Sequence, residues 1–184
     1  PSTAPVTPYV YYPIDTPLGP YTGPADPLES GTATVNGAVF VPGSSSVLFI
    51  GATGTNYEGY GTPEDYGDVV HGGKGSHSLN GQYAFQVWAY DAKDFVAAKQ
   101  GAVQPWQVQP YDVWNFTVPI PGNYTVGGVA FDPNSGRVYV SVMNADTELA
   151  GSSLPLIEVF QVNLPSRSTG PTAPQIGTLA ATPF

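Results

Sequence analysis

The chain contains no cysteine among its 184 residues, which excludes a disulfide framework and any chemistry that depends on a thiolate. Basic residues are also few, with 5 Lys and Arg against 14 Asp and Glu and a formal net charge of −9. Because binding to a phosphate backbone requires clustered Lys and Arg, nucleic acid and anionic membrane surfaces are poor partner candidates. No apolar stretch approaches the roughly 20 residues of a membrane-spanning helix, so we expect no membrane span.

The residues that are abundant point to a β protein. Only 10% of residues are charged, whereas the chain holds 22 Gly, 20 Pro and 12 Tyr, and 41% of its residues are hydrophobic. Low charge with many hydroxyl and amide groups is typical of extracellular β proteins, so we expect an extracellular or cell-surface location. The chain begins at Pro1 rather than Met, and we expect a processed or excised product. Its length suits one or at most two domains.

Residues 126–162 carry the clearest strand pattern. Three apolar runs, GGVAF, RVYVSVM and LIEVFQV, are separated by a turn and then by a polar loop. The turn is DPNSG, in which Pro presets φ while Asn and Gly accept the left-handed conformation of a tight reversal. The pattern predicts a meander of short antiparallel strands.

A weaker copy of the same pattern lies upstream. GAVFVPGSSSVLFIGAT resembles GGVAFDPNSGRVYVSVM, with Phe40 aligned with Phe131. YAFQVWAYD then resembles LIEVFQVN, with Val87 aligned with Val159. The first copy has the longer insertion between its second and third strands, and insertions belong in loops. The chain therefore holds two meander repeats.

These motifs resemble blades of the kelch-like and YVTN-like β-propellers of secreted bacterial proteins, in which F-D-P-x-S/T-G-R-V/L-Y-V recurs once per blade. The resemblance covers about residues 36–182. It implies an all-β fold of antiparallel meander sheets forming two propeller-type blades, and it defines a fold better than a function. Two blades are too few to close a ring on one chain.

We expect three parts: a proline-rich extended arm at 1–31, a first blade at 32–125 with a long loop at 54–82, and a second blade at 126–184. The proline density of the arm excludes helix and central strand. Its tyrosines could hold it along a surface, although a mobile leader is the alternative: Tyr9, Tyr11, Tyr12 and Tyr21. Residues 91–99 offer the only plausible helical turn or two, with Asp91 as the N-cap. We expect further strands at 112–118 and 175–183.

The loop at 54–82 is the best candidate for a site, because long loops without regular structure are uncommon in compact domains and often functional. It holds both histidines and several tyrosines. Rigid rings among Gly and Asn can grip saccharide or protein surfaces at small entropic cost. The candidate ligand-binding residues are Tyr57, Tyr60, Tyr66, His71, His77 and Trp106.

Three carboxylates in this loop are candidate metal ligands: Glu64, Asp65 and Asp68. With backbone carbonyls they suit calcium, whereas the histidines suit zinc. The spacing matches no zinc signature and lacks the D-x-D-x-D-G alternation of a calcium loop. Surface residues in hydrogen-bonded turns are the alternative. We expect calcium if a metal binds, and no other cofactor.

No catalytic residue is assigned. The chain has no G-x-S-x-G and no H-E-x-x-H motif. A glycosidase pair could be drawn from Glu58, Glu64, Asp65 and Asp68, but such a cluster is more often a solvated acidic patch. Two glycosylation sequons begin at Asn115 and Asn123, although Asn115 falls in an expected strand.

The sequence favours a secreted, non-catalytic binding or structural β module, which engages glycans or proteins or assembles with copies of itself. The alternative is a fragment of a propeller-type glycoside hydrolase or lyase. Because two blades leave apolar faces and strand edges uncovered, we expect a homo-oligomer, a filament, or the missing blades of a longer parent chain as partners.

Overall fold

A computed structural model describes residues 7–12, 32–118, 125–146, 154–163 and 175–176. These ranges contain ten strands, β1 (Thr34–Phe40), β2 (Ser46–Gly54), β3 (Glu58–Gly61), β4 (Gly75–Ser78), β5 (Tyr83–Asp91), β6 (Asp112–Phe116), β7 (Thr125–Asp132), β8 (Arg137–Asp146), β9 (Leu154–Asn163) and β10 (Gln175–Ile176). Two short helices, α1 (Pro63–Tyr66) and α2 (Ala92–Lys99), accompany them. Neither helix is long and apolar enough to cross a membrane.

The strands form two four-stranded antiparallel sheets and one hairpin. Sheet 1 has the order β1-β2-β5-β6, sheet 2 has the order β10-β9-β8-β7, and β3 pairs with β4. Each of the two sequence repeats thus supplies one meander sheet, and the prediction of an all-β chain of antiparallel sheets is confirmed. In the ranges above, the sheets close into neither a barrel nor a ring.

The core lies between the two sheets, on the face that each presents to the other, here called the inner face. Val39, Leu48, Ile50 and Val87 of sheet 1 belong to one buried cluster with residues of sheet 2. The sheet 2 residues are mainly alternate valines of β8: Val138, Val140 and Val142. Alternation with a period of two places these side chains on one side of each strand.

The sheets approach most closely where β1 meets β7. A Cβ atom at Gly37 would lie 2.4 Å from the Cβ of Val129, so only a residue without a side chain fits at this crossing. Gly37 faces the same side as Ile50, its cross-strand partner, which is the inner face. The packing of the two sheets therefore depends on a glycine in β1.

The opposite, outer face of sheet 1 is covered by the chain itself. Trp88 and Tyr90 of β5 form a second buried cluster with Val108, against which Val10 and Phe95 pack. The Tyr12 hydroxyl donates to the Val108 carbonyl and lies 2.8 Å from the Tyr90 hydroxyl. Residues 7–12 of the predicted arm thus contact sheet 1, while Tyr21 lies outside the described residues.

The predicted helix is confirmed as α2, which packs beside β5. The Asp91 carboxylate accepts a hydrogen bond of 2.9 Å from the Lys93 N–H, as an N-cap should. The segment predicted as an irregular loop, by contrast, contains the β3–β4 hairpin and α1. The hairpin was not predicted, because its strands consist largely of glycine and serine. They lack the alternating β-branched residues that indicate a strand.

Replacing Gly37 with Ala is expected to destabilise the protein by about 1–3 kcal/mol, because the added methyl group forces Val129 or a backbone to move. Urea unfolding followed by tryptophan fluorescence measures the effect. Gly72→Ala is the control, since a Cβ there has no neighbour within 4 Å, and its effect should stay within about 0.5 kcal/mol. Equal stability of the two variants would show that β1 and β7 do not meet at Gly37.

Candidate functional site

The segment between β2 and β5 is built around a short helical turn that directs Asp68 inward. Pro63 occupies the first turn of α1, where its missing N–H costs nothing. The Asp65 carboxylate accepts from the Thr62 N–H at 2.8 Å and caps the turn. Gly67 ends the helix with a φ of 62°, a left-handed conformation that glycine adopts without strain. The chain then reverses and buries the next side chain, that of Asp68.

The buried Asp68 carboxylate accepts four hydrogen bonds. Its Oδ1 atom accepts from the backbone N–H groups of Val70 at 2.9 Å and His71 at 3.1 Å. Its Oδ2 atom accepts from His77 Nδ1 at 2.9 Å and from the Tyr83 hydroxyl at 2.6 Å. A buried carboxylate with this many donors is held as an anion in one position. We call these residues, Asp68, His77 and Tyr83, the Asp68 cluster.

His77 is the charged partner of Asp68. Its Nδ1 atom faces the carboxylate, and its Nε2 atom lies 3.0 Å from the Gly73 carbonyl oxygen. Both neighbours are acceptors, so both ring nitrogens must donate, which requires the imidazolium form. The side chain is only 2% exposed, and the Tyr66 ring stacks on it at 6.0 Å between centroids. The pair is therefore a buried ion pair.

The pKa values of the cluster agree with this charge assignment. Burial alone would raise the pKa of Asp68, but hydrogen bonds from Tyr83, His77 and two backbone N–H groups outweigh it and lower the pKa to about 2. The hydrogen bond to Asp68 raises the pKa of His77 above its ordinary 6.5, against the opposing effect of burial. Burial, then the bond to Asp68, raises the pKa of the Tyr83 hydroxyl, which stays neutral and donates.

A cleft of about 550 Å³ opens beside the Asp68 cluster. It lies where the first residues of β1, β5 and β7 meet the last residues of β6, and His71 and Tyr83 contribute one wall. Their rings meet edge to face with centroids 4.3 Å apart. Because Asp68 binds both the Tyr83 hydroxyl and the His71 backbone, the ion pair fixes this wall of the cleft.

The other predicted ligand-binding residues do not gather at the cleft. Tyr57 and Tyr60 are 49% and 70% exposed, and Lys74 Nζ lies 5.8 Å from the centre of the Tyr60 ring. Tyr66 and His77 pack on each other inside the loop. Trp106 contacts Tyr11 at 5.8 Å between ring centroids, near the outer face of sheet 1. Of the six predicted residues, only His71 lines the cleft.

The three predicted metal ligands also lie in different environments and do not form one site. Glu64 and Asp65 are exposed on α1, whereas Asp68 is buried and engaged with His77 and Tyr83. Among the described residues, no group of three or more His, Cys, Asp or Glu side chains is placed to hold a metal ion. Calcium binding stays a prediction from the sequence.

Sequence reasoning missed several residues that the fold brings together at the cleft. Thr34 and Asn36 come from β1 and Tyr83 comes from β5, and no motif links the two strands. Asn115, predicted as a sequon, is exposed on β6 and lines the cleft, while Asn123 lies outside the described residues. A signal for Tyr83 did exist, since a tyrosine at the start of a buried strand needs a partner for its hydroxyl.

Comparisons of the chain with protein-family models, with curated proteins and with solved structures found no match. The functional conclusions below therefore rest on the chain's own residues and geometry.

The stability of the protein is expected to fall as the pH rises above about 6.5, because the raised pKa of His77 means that folding favours its protonated form. The stabilisation is complete below the ordinary value of 6.5 and is lost as the pH rises through the raised value. Each unit by which the pKa is raised corresponds to about 1.4 kcal/mol. Urea unfolding at a series of pH values measures the effect.

His77→Gln should abolish this pH dependence and lower the stability at about pH 6 by roughly 3–5 kcal/mol, since it leaves the buried Asp68 charge without its partner. His71→Ala is the matched control, because it removes the other histidine but keeps the backbone N–H that donates to Asp68. If the pH dependence persists in His77→Gln, the buried imidazolium is not its source.

Proposed function

We propose that the chain is an extracellular, non-catalytic binding and structural module of two propeller-type blades, and that it pairs with a second copy through the outer face of sheet 2. The observation that carries this proposal is the apolar outer face of sheet 2, which none of the described residues covers. Its central residues are Ala130, Tyr139, Ser141, Met143, Ile157 and Val159. Ile157 is 58% and Met143 is 39% exposed.

The propeller interpretation is supported by the relative orientation of the two stacked sheets. Val87 and Phe131 both pack in the shared core. Their counterparts in the other repeat lie on outer faces: Val159 pairs with Tyr139 on sheet 2, and Phe40 of sheet 1 is 70% exposed. Equivalent faces of the two repeats thus point the same way, as in successive units of a repeat array.

A stack of this kind has two unlike ends. The end at sheet 1 is covered by residues 7–12 and α2, which pack on Trp88 and Tyr90. The end at sheet 2 exposes the face that corresponds to the buried inner face of sheet 1. Repeat arrays need a cap at each end, and the described residues supply a cap at one end alone.

The uncovered face fits a second copy better than a head-to-tail chain of copies. Head-to-tail addition, the basis of a ring or filament, would need the outer face of sheet 1, which is occupied. Two outer faces of sheet 2 can meet about a twofold axis, in which the same patch serves both partners. The whole chain has a net charge of −9, which would make two copies repel each other. The six central residues of the patch are uncharged, so this repulsion does not act at the centre of the contact.

The roles of Glu64, Asp65 and Asp68 support a non-catalytic module over a glycosidase or lyase that would use the acidic residues of this segment. Asp68 is ionised and saturated with hydrogen bonds, so it is a poor proton donor or nucleophile. Glu64 and Asp65 are exposed and have lowered pKa values, caused by hydrogen bonds in and around the turn at Thr62. A general acid needs the opposite, a raised pKa.

Ile157→Lys is expected to weaken self-association at least about tenfold, or 1.4 kcal/mol, because it places a charge in the centre of the apolar contact. Sedimentation velocity over a range of protein concentrations measures the dimer fraction. Val96→Lys is the matched control, since Val96 is a 51% exposed apolar residue on α2. The proposal fails if the wild-type protein stays monomeric at the highest concentration, or if both variants weaken the dimer equally.

A further inference from the structure

We propose that the 550 Å³ cleft beside the Asp68 cluster is a binding site for an uncharged oligosaccharide. The proposal rests on the proposed function as a binding module, and it names a ligand class and a site for it. The cleft adjoins the outer face of sheet 2 at Thr125, the strand partner of Met143. Ile157 at the centre of that face does not line the cleft, so binding in the cleft and pairing of copies can be tested independently. Its volume falls in the range of about 300–1,000 Å³ that is usual for small-ligand sites.

The chemistry of the cleft lining is that of hydroxyls, amides and rings. Outside the Asp68 cluster and its wall, the polar residues of the lining include Thr34 and Asn36 of β1. Each can both donate and accept a hydrogen bond, as can every sugar hydroxyl. Phe85 and Phe116 supply apolar ring surface, which suits the C–H faces of a pyranose.

Among the described residues, no Asp, Glu, Lys or Arg lines the cleft, although the whole chain carries 19 such residues. A phosphate or carboxylate ligand would find no cation to pair with, and a basic ligand no anion. A charged group that loses its water without such a partner is strongly disfavoured. An uncharged ligand rich in hydroxyl groups avoids this cost, and a neutral saccharide is the ligand of that kind.

The wall made by His71 and Tyr83 is fixed before any ligand arrives. The Tyr83 hydroxyl is bound to Asp68 and accepts from the Ser78 N–H at 3.0 Å. The His71 ring lies against the Tyr83 ring, and its buried Nδ1 atom lies 3.5 Å from Asp68 Oδ2 without a hydrogen-bond partner in the described residues. The partly exposed His71 ring remains available to a ligand. A rigid wall limits the entropy lost on binding.

Isothermal titration calorimetry with neutral hexasaccharides tests the site, using cello-, malto-, xylo-, manno- and chito-oligosaccharides as probes. At least one is expected to bind. Thr34→Val and His71→Ala should each weaken binding of that probe by about five- to tenfold, as the loss of one hydrogen bond does. Tyr60→Ala is the control, because Tyr60 is exposed in the same segment but outside the cleft, and it should bind as the wild type does.

Three results would overturn the proposal: no neutral probe binds, only charged saccharides or peptides bind, or Thr34→Val and His71→Ala bind as tightly as the wild type. Circular dichroism of each variant shows whether it is folded, so that lost binding is not mistaken for unfolding. Ile157→Lys should still bind the saccharide, since it alters the other face. If the protein dimerises but binds no saccharide, the saccharide site is refuted and the proposed pairing through sheet 2 stands.

Discussion

An apolar β-sheet face must be covered, and this constraint organises the whole chain. Each sheet has two faces, so two sheets present four. The inner faces cover each other through a core of Val, Leu and Ile side chains, and their approach is limited by the crossing at Gly37 and Val129. The arm and α2 cover a third face. The fourth face, that of sheet 2, is the one on which the proposed assembly depends.

A second, smaller unit is held together by charge rather than by apolar packing. Asp68 and His77 form an ion pair inside the segment between β2 and β5, where few apolar side chains are buried. Such a pair stabilises little relative to an apolar core, because both charges lose their water. It does fix geometry, since Asp68 orients Tyr83 and the backbone at His71. The buried Asp68 carboxylate thus determines the position of the cleft wall.

The two units meet at the cleft. Its floor belongs to the ends of the sheets, through Phe85, Phe116 and Val126, and its wall belongs to the segment that holds the ion pair. A ligand there would contact residues of both sheets and of the loop at once. Assembly through sheet 2 and ligand binding in the cleft would then use different surfaces around one shared core, as expected of a module that displays a site within a larger structure.

The strands of the two sheets and the helix α2 could be predicted because their sequence signals are local. The alternating valines of β8 and the DPNSG turn, where Gly136 has a φ of 69°, lie within a few residues of one another. The role of Asp68 could not be predicted, because its partners lie 9 and 15 residues away on separate elements. The contact of Tyr11 with Trp106 was hidden for the same reason. Both depend on how the chain folds back on itself.

The central claim is that sheet 1 packs on sheet 2 where Gly37 meets Val129, and nuclear Overhauser spectroscopy of the labelled protein tests it directly. A Cβ at Gly37 would lie 2.6 Å from Val129 Cγ2, so strong cross-peaks are expected between the Gly37 α-protons and the Val129 methyl groups. Cross-peaks between Val129 and its strand partner Val140 show that sheet 2 is formed. If those are present and the Gly37–Val129 peaks are missing, the two sheets do not share a core and the account is wrong.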